Sequence, residues 1–416
     1  MLSKNTFFSF IFLFCLFPGQ IISCNIFKSA DELACLFMLF LAGLDIYKNG
    51  WATIRRLLPL WILFAIMSFY VCYSIIFCSF NTPLYVVIDV VSQIKPFVPY
   101  IIIYCLNLRL TGWARQVGQW FCIINVFFMA IFYVWGGGRQ QLPFAHIAYL
   151  GTICMISGLF YLYCSLDDRG KIPAVRDLGI AFFILSFGLL CGRSKYFGQY
   201  IITICLCLFY RPGLFHNISF KHILLVMGVL TIVVMAAWHK IEYYFIQGAM
   251  DMLESESIDE VGDSYARPML YVTGGQILLD YFPFGSGLAS FASYASADHY
   301  SLLYYDYGLD KVWGLSPYKT DFICDAYYPT LSQFGVFGIF WFCLFWRWVF
   351  KPLNYFDRTL GNSYCFKYII SISLIVFLLI ESIGSTQFIQ AAGFQAIMLL
   401  GLLTSGHNSQ NSTSKV

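Results

Sequence analysis

The chain has 416 residues, of which 59% are hydrophobic and only 11% are charged, and its formal net charge is +3. Soluble domains carry about 25% charged residues, so this composition excludes an ordinary soluble domain and predicts a polytopic membrane protein. The small net charge gives no reason to expect nucleic acid as a partner, and the cysteines stand without the paired spacing of a metal site.

Windows of about 20 apolar residues, the length that crosses a bilayer, mark twelve segments along the chain. They lie near 6–24, 30–46, 57–80, 84–106, 117–135, 143–164, 178–191, 196–210, 222–238, 329–350, 367–384 and 386–405. The first is interpreted as an uncleaved helix, with a signal peptide that is cleaved before Cys24 as the alternative. The predicted fold class is an all-α integral membrane protein, one domain over 1–416 with about 12 transmembrane helices.

Two of these segments are short because Arg193 and Lys195 divide one apolar run from Leu178 to Tyr210. A charge at the bilayer centre is costly, so the sequence predicts two brief helices joined by a charged turn at the membrane boundary. The fourth segment is also polar for its position, since it contains Asp89 and Lys95.

Lysine and arginine are distributed unequally between alternate connections, with sixteen on one side and eight on the other. The side richer in positive charge is normally cytoplasmic. Both termini are therefore predicted to be cytoplasmic, and the long connection over 239–328, between the ninth and tenth helices, is predicted to be extracytoplasmic. The turn with Arg193 and Lys195 falls on the same outer side as this loop.

The outer loop opens with an acidic run from Asp251 to Asp263, interpreted as solvated surface. The following "ARPMLYVTGGQILLDYFPFGSG" predicts an amphipathic helix on the outer membrane surface with Arg267 at its N-terminus. Helix N-termini favour anions, and the guanidinium fork suits phosphate. Arg193 and Arg267 could therefore meet at one anion site if the loop folds back, or each could reach separately to lipid headgroups.

After its glycines the loop becomes aromatic, and it ends with two carboxylates before the next apolar segment. The rings could lie at the membrane interface or could stack on sugars, and the sequence does not choose between these. Asp321 and Asp325 precede the tenth segment. Such a carboxylate near two arginines could serve as their salt-bridge partner or as a general base.

Three stretches taken in order carry a family resemblance. "LLCGRSKYFGQY", the Arg267 segment with its "GSG", and "DAYYPTLSQFGVFG" together resemble the O-antigen polymerase and O-antigen ligase superfamily of bacterial envelope enzymes. Ligases of that superfamily typically carry a His-Asn pair where this sequence has Cys324 and Asp325. The resemblance is therefore closer to the polymerases of O-antigen or capsular polysaccharide.

The resemblance implies a metal-independent glycosyltransferase without a cofactor, in which undecaprenyl pyrophosphate is part of the substrate. It implies lipid-linked oligosaccharide repeat units as substrate, a chain-length regulator and a flippase as partners, and a multi-pass position in the bacterial inner membrane. The alternatives are an O-antigen ligase and a lipid-linked glycan flippase, the latter using the polar fourth segment. The candidate catalytic residues are Arg193, Arg267 and Asp325, and the candidate substrate-binding residues are Lys195, His299, Asp321 and Tyr327.

Overall fold

A computed structural model describes residues 3–16, 29–135, 148–166, 174–212, 266–359 and 365–405, with five isolated positions between 228 and 242. The described residues form helices and turns and contain no β-strand. The all-α class predicted from the sequence is therefore confirmed. Apart from those isolated positions, the ninth apolar segment and the first part of the long connection, with its acidic run, fall outside the described residues.

The helices follow most of the predicted segments in order. The first six are α1 (Lys4–Leu16), α2 (Ala30–Asn49), α3 (Trp51–Arg56), α4 (Leu58–Tyr73), α5 (Pro83–Ile94) and α6 (Phe97–Leu106). The next five are α7 (Gly112–Trp135), α8 (Ala148–Ser165), α9 (Val175–Phe187), α10 (Ser194–Phe209) and α11 (Ala266–Asp280). The last five are α12 (Tyr294–Asp298), α13 (Leu303–Asp306), α14 (Gly335–Thr359), α15 (Cys365–Glu381) and α16 (Ala391–Thr404).

Three of the described helical stretches are long and apolar enough to cross a membrane, namely Leu58–Cys78, Gly112–Ile131 and Tyr328–Tyr355. The bent pair α5 and α6 raises this number to four if it counts as one span. Several other apolar helices, among them α1, α10 and α16, have fewer than 18 residues. These findings indicate association with a membrane, and the predicted number of twelve spans is not confirmed.

The fourth apolar segment, 84–106, forms two helices in the structure. The chain bends by 45° between α5 and α6, where Lys95 and Pro96 separate the two helices. Proline lacks the N–H that a continuous helix requires at this point and its ring clashes with the preceding turn. The ammonium group of Lys95 lies 2.6 Å from an oxygen of Asp31 and 2.7 Å from one of Glu32, so a buried charge is compensated at the bend.

Asp89, the other polar residue of this segment, is held by the outer loop. It is 1% exposed and accepts a hydrogen bond of 2.7 Å from the backbone N–H of Ala289. The amide of Gln93, one turn further along α5, donates to its other oxygen at 3.2 Å. Asp89 therefore fixes the loop onto α5 from inside the protein.

Contacts between distant segments define two ends of the helical assembly. At one end, the ammonium of Lys4 donates to the carbonyl of Leu106, and the hydroxyl of Ser405 donates to the carbonyl of Leu108. At the other end, the amide of Asn81 donates to the carbonyls of Ala289 and His299. Residues at the start of α1 and after α16 therefore lie at the same end of the assembly.

The loop helix α11 forms with Arg267 in its first turn, as predicted, but its apolar residues are divided. Leu270 and Ile277 are fully buried and belong to a cluster within the loop itself, which also includes Phe291. Val272 and Leu279 are exposed. The buried side of α11 is therefore covered by protein, and its predicted position on the membrane surface remains a prediction.

Two glycine-containing motifs pack backbone to backbone beside α11. Gly285 has a φ of +80° and Gly335 a φ of +61°, both in the left-handed region that favours glycine. A Cβ atom on Gly285 would overlap the carbonyl oxygen of Ser332, and one on Gly335 would overlap that of Pro283. The "FGSG" and "QFG" motifs are therefore one structural unit that seats the outer loop against the start of α14.

Replacing Gly285 with alanine is expected to destabilise the protein. The left-handed conformation costs a non-glycine residue about 1–2 kcal/mol, and the clash with Ser332 adds to this. Gly275→Ala is the matched control, because Gly275 is an exposed residue of α11 with open space around it. Thermal unfolding of the detergent-solubilised protein should show a clear loss for Gly285→Ala and no loss for Gly275→Ala, and equal midpoints would contradict the packing argument.

Candidate functional site

The candidate site is organised by the turn that follows α15, which we call the 381–384 turn after its residues. The backbone N–H of Tyr327 donates to the carbonyl of Ser382 at 3.0 Å. The hydroxyl of Tyr271, one turn after Arg267 in α11, donates to the carbonyl of Ile383 at 2.8 Å. The turn is thus contacted both by the loop helix and by the segment that leads into α14.

Lys195, in the first turn of α10, also contacts the 381–384 turn. Its ammonium lies 2.5 Å from Oε2 of Glu381 and donates to the carbonyl of Gly384 at 3.4 Å. The amide of Gln199 donates to Oε1 of Glu381 at 3.0 Å. Glu381 is only 5% exposed, so its charge is compensated inside the protein by the Lys195 ammonium and this amide.

Arg193 lies at the start of α10, as its N-cap residue with extended backbone. Gly192, directly before it, adopts a φ of +66° and closes the turn that the sequence predicted between the two short helices. Arg193 stands two residues before Lys195, whose ammonium binds Glu381, so the start of α10 lies close to the 381–384 turn.

Arg267 and Asp325 form an ion pair. The Nε of Arg267 lies 2.7 Å from Oδ2 of Asp325, and its Nη2 contacts the same oxygen. Both side chains are partly exposed, at 36% and 26%. Of the two roles that the sequence left open for Asp325, the geometry favours the salt-bridge partner, since this carboxylate binds the guanidinium of Arg267 directly.

The remaining predicted site residues occupy different environments. His299 is exposed, and its ring lies 4.8 Å from that of Tyr85 at the start of α5. Asp321 is exposed in the loop before Asp325. Tyr327 is buried, with its ring 4.9 Å from that of Phe388. The structure thus brings Lys195 into contact with the 381–384 turn, and Arg193 stands two residues before it. The segments of Arg267 and Asp325 reach the same turn through Tyr271 and Tyr327, while His299 packs against α5.

An apolar cavity of about 220 Å³ is linked to the turn through one of its lining residues, Tyr327. It lies between α4, α6 and α14, and its walls include Tyr327, Gln93 and Trp341. Because Tyr327 lines this cavity and also donates its N–H to Ser382, the cavity and the 381–384 turn share a wall residue. A ligand with a charged head and an apolar tail would match this neighbouring pair of environments.

Sequence reasoning missed Glu381, Gln199 and Tyr271 as members of the site. One signal was present, because Glu381 is the only acidic residue after Asp357 and ends an apolar segment. An ionisable residue in such a position requires a partner. Gln199 and Tyr271 gave no comparable signal, since their roles depend on which helices lie next to the turn.

No group of three or more His, Cys, Asp or Glu side chains is arranged to hold a metal ion within the part of the chain that the structure describes. No protein-family model matches the chain, and no curated protein is significantly similar to it in sequence. The function of the chain is therefore inferred from its own residues and their arrangement.

Tyr271→Phe is expected to lower the free energy of unfolding by about 1 kcal/mol, because the carbonyl of Ile383 loses its donor. Tyr318→Phe is the control, since Tyr318 is 98% exposed. Chemical unfolding of the two variants in the same detergent checks this. If both variants matched the unsubstituted protein, the link between α11 and the 381–384 turn would lose its energetic support.

Proposed function

We propose that this chain is a membrane polysaccharide polymerase that acts on undecaprenyl-pyrophosphate-linked oligosaccharide repeat units at the outer face of the bacterial inner membrane. One observation carries the proposal. The Arg193–Lys195 turn contacts the 381–384 turn through Lys195. The segments that carry the Arg267–Asp325 ion pair, far from Lys195 in sequence, contact the same turn through Tyr271 and Tyr327, and Tyr327 also lines an apolar cavity. A polyprenyl pyrophosphate has the matching chemistry, with a dianionic head and an apolar tail.

In the proposed reaction, a hydroxyl oxygen of the acceptor sugar attacks the anomeric carbon of the donor glycan. The bond from that carbon to the pyrophosphate oxygen breaks, undecaprenyl pyrophosphate leaves, and the hydroxyl proton passes to a base or to water. Negative charge grows on the departing pyrophosphate during this step. Positive groups placed beforehand at that position lower the barrier most, since they need no reorganisation.

Arg193 and Arg267 are the groups we assign to this charge. A guanidinium stays protonated at any physiological pH and can bind two phosphate oxygens at once. Asp325 holds Arg267 in the structure as it stands, so an arriving phosphate would share or take over that contact. Lys195 adds positive charge nearby, although its ammonium is already bound to Glu381.

The apolar cavity supports the same donor. Its volume of about 220 Å³ suits a short part of a polyprenyl chain, and the exposed apolar surfaces of α4 and α14 continue beyond it. Burial of each methylene contributes about 0.8 kcal/mol, so even a short enclosed part of the tail would add useful affinity. His299 and Asp321 remain candidates for contacts with the sugars, because both are exposed on the same outer loop.

Arg193→Ala is expected to reduce polymer synthesis by about a hundred- to a thousand-fold, the usual loss when one transition-state donor is removed. Arg193→Lys should retain part of the activity because the positive charge remains, and should lose the rest because an ammonium cannot bind two phosphate oxygens as the planar guanidinium does. Arg109→Ala is the control, since Arg109 is exposed at the opposite end of the assembly. The assay is polymer formation from a lipid-linked repeat by purified protein whose folding is verified separately.

Full activity of Arg193→Ala would make this residue a headgroup anchor and remove the proposed clamp. Gel analysis of surface glycans after gene disruption distinguishes the two transferase activities. Single repeats on the acceptor are expected for a polymerase, whereas a bare acceptor would identify a ligase.

A further inference from the structure

We propose that Glu381 is a positioning residue that fixes Arg193 by holding the helix at whose start Arg193 lies. The inference rests on the proposed function, because it assigns Glu381 a part in the same reaction. Glu381 touches neither substrate nor reacting atoms in this account. It acts through α10.

The Glu381 carboxylate contacts two residues of α10, and these residues lie one helical turn apart. Oε2 binds the ammonium of Lys195 at 2.5 Å, and Oε1 accepts from the amide of Gln199 at 3.0 Å. Residues four apart lie on the same face of a helix. Two bonds from one carboxylate to that face fix both the rotation of α10 and its height relative to α15. We call this arrangement the Glu381 clasp.

The Glu381 clasp binds the first turns of α10, next to Arg193. Arg193 is the N-cap of α10 and stands two residues before Lys195. The preceding Gly192 has a φ of +66° and is exposed, so the backbone on that side is a tight turn rather than a rigid element. The position of the Arg193 backbone therefore follows the position of α10, which the clasp holds.

The residues of the Glu381 clasp are buried, which makes their contacts hard to replace. Glu381 is 5% exposed and Gln199 is 1% exposed, so neither can exchange its partner for water without opening the packing. Removing the charge of one partner in a buried ion pair leaves the other charge uncompensated, which strongly favours rearrangement. Neutralising Glu381 should therefore release the Lys195 ammonium from the 381–384 turn and move the start of α10.

The test is Glu381→Gln, which keeps the size of the side chain and removes its charge. We expect kcat for polymer synthesis to fall at least tenfold in an otherwise unsubstituted protein, with a smaller change in the KM for the lipid-linked donor. In a protein that already carries Arg193→Ala, the same substitution should have almost no further effect, because the residue that it positions is gone. A general structural defect would instead lower both activities by the same factor.

Glu32→Gln is the matched control. Glu32 also forms a lysine–glutamate pair, with Lys95 at 2.7 Å, but that pair lies at the bend between α5 and α6. The same chemical change there should leave kcat within twofold. Should Glu381→Gln fold poorly, Gln199→Leu removes the uncharged half of the clasp and should produce a smaller loss of kcat in the same direction.

A second readout does not depend on catalysis. Cys191 is 4% exposed and lies two residues before Arg193 in the turn that leads into α10, so its reaction with a maleimide reports opening of this turn. Peptide mass spectrometry separates its labelling from that of the other cysteines, with fully buried Cys154 in α8 as the internal reference. Glu381→Gln should raise the labelling rate of Cys191 several-fold and leave that of Cys154 unchanged.

The outcomes separate the two proposals. Unchanged labelling of Cys191, or a loss of kcat that is equally large with and without Arg193, would overturn the positioning role of Glu381. If the unsubstituted protein made no polymer from any lipid-linked repeat, the proposed function would fail, and the labelling result alone would then decide whether the clasp holds the turn.

Discussion

The arrangement of the candidate site depends on the end of one helix. α15 stops at Glu381, and the carbonyl groups at a helix end have no partner within the helix, so they take hydrogen-bond donors from elsewhere. The donors come from three other segments, through Tyr327, Tyr271 and Lys195. The negative end of the helix dipole also favours the Lys195 ammonium. Satisfying one helix end therefore assembles the loop, α10 and α14 around a single turn.

Several charged residues are tolerated in so apolar a chain because they are paired with opposite charges. Lys195 is bound to Glu381, Arg267 to Asp325, and the buried Lys95 to Asp31 and Glu32. Each pair joins segments distant in sequence, so the charges act as long-range connections between apolar helices. Of these pairs, the first two lie on segments that contact the 381–384 turn, and these are the pairs to which we assign function.

Local sequence signals predicted much of the helical arrangement. The division of the apolar run at Arg193, the helix that begins near Arg267 and the helices ending at Glu381 and Thr404 all follow from the apolar pattern and its interruptions. The bend at Pro96 could also have been predicted from the missing proline N–H. The number of membrane spans could not be established in this way, because several apolar helices are shorter than a bilayer requires.

The hydrogen bonds and ion pairs of the site could not be predicted from the sequence, because they join residues that are distant along the chain. Nothing in the local pattern joins Glu381 to Gln199, 182 residues earlier, or Tyr271 to Ile383. The glycines of "FGSG" and "QFG" contributed to the family resemblance, and the structure gives them a packing role at the base of the outer loop. These glycines therefore have a structural role, whereas the proposed chemistry depends on Arg193 and Arg267.

The central claim is that Arg193 and Arg267 act on one pyrophosphate. The most direct test is calorimetric titration of the solubilised protein with inorganic pyrophosphate, for the unsubstituted protein, Arg193→Ala, Arg267→Ala and the double variant. Two groups that share one ligand are coupled, so each single variant should bind more weakly and the double variant should lose less than the product of the two single losses. Losses that multiply fully, or binding unchanged in either single variant, would show that the two arginines do not share a site.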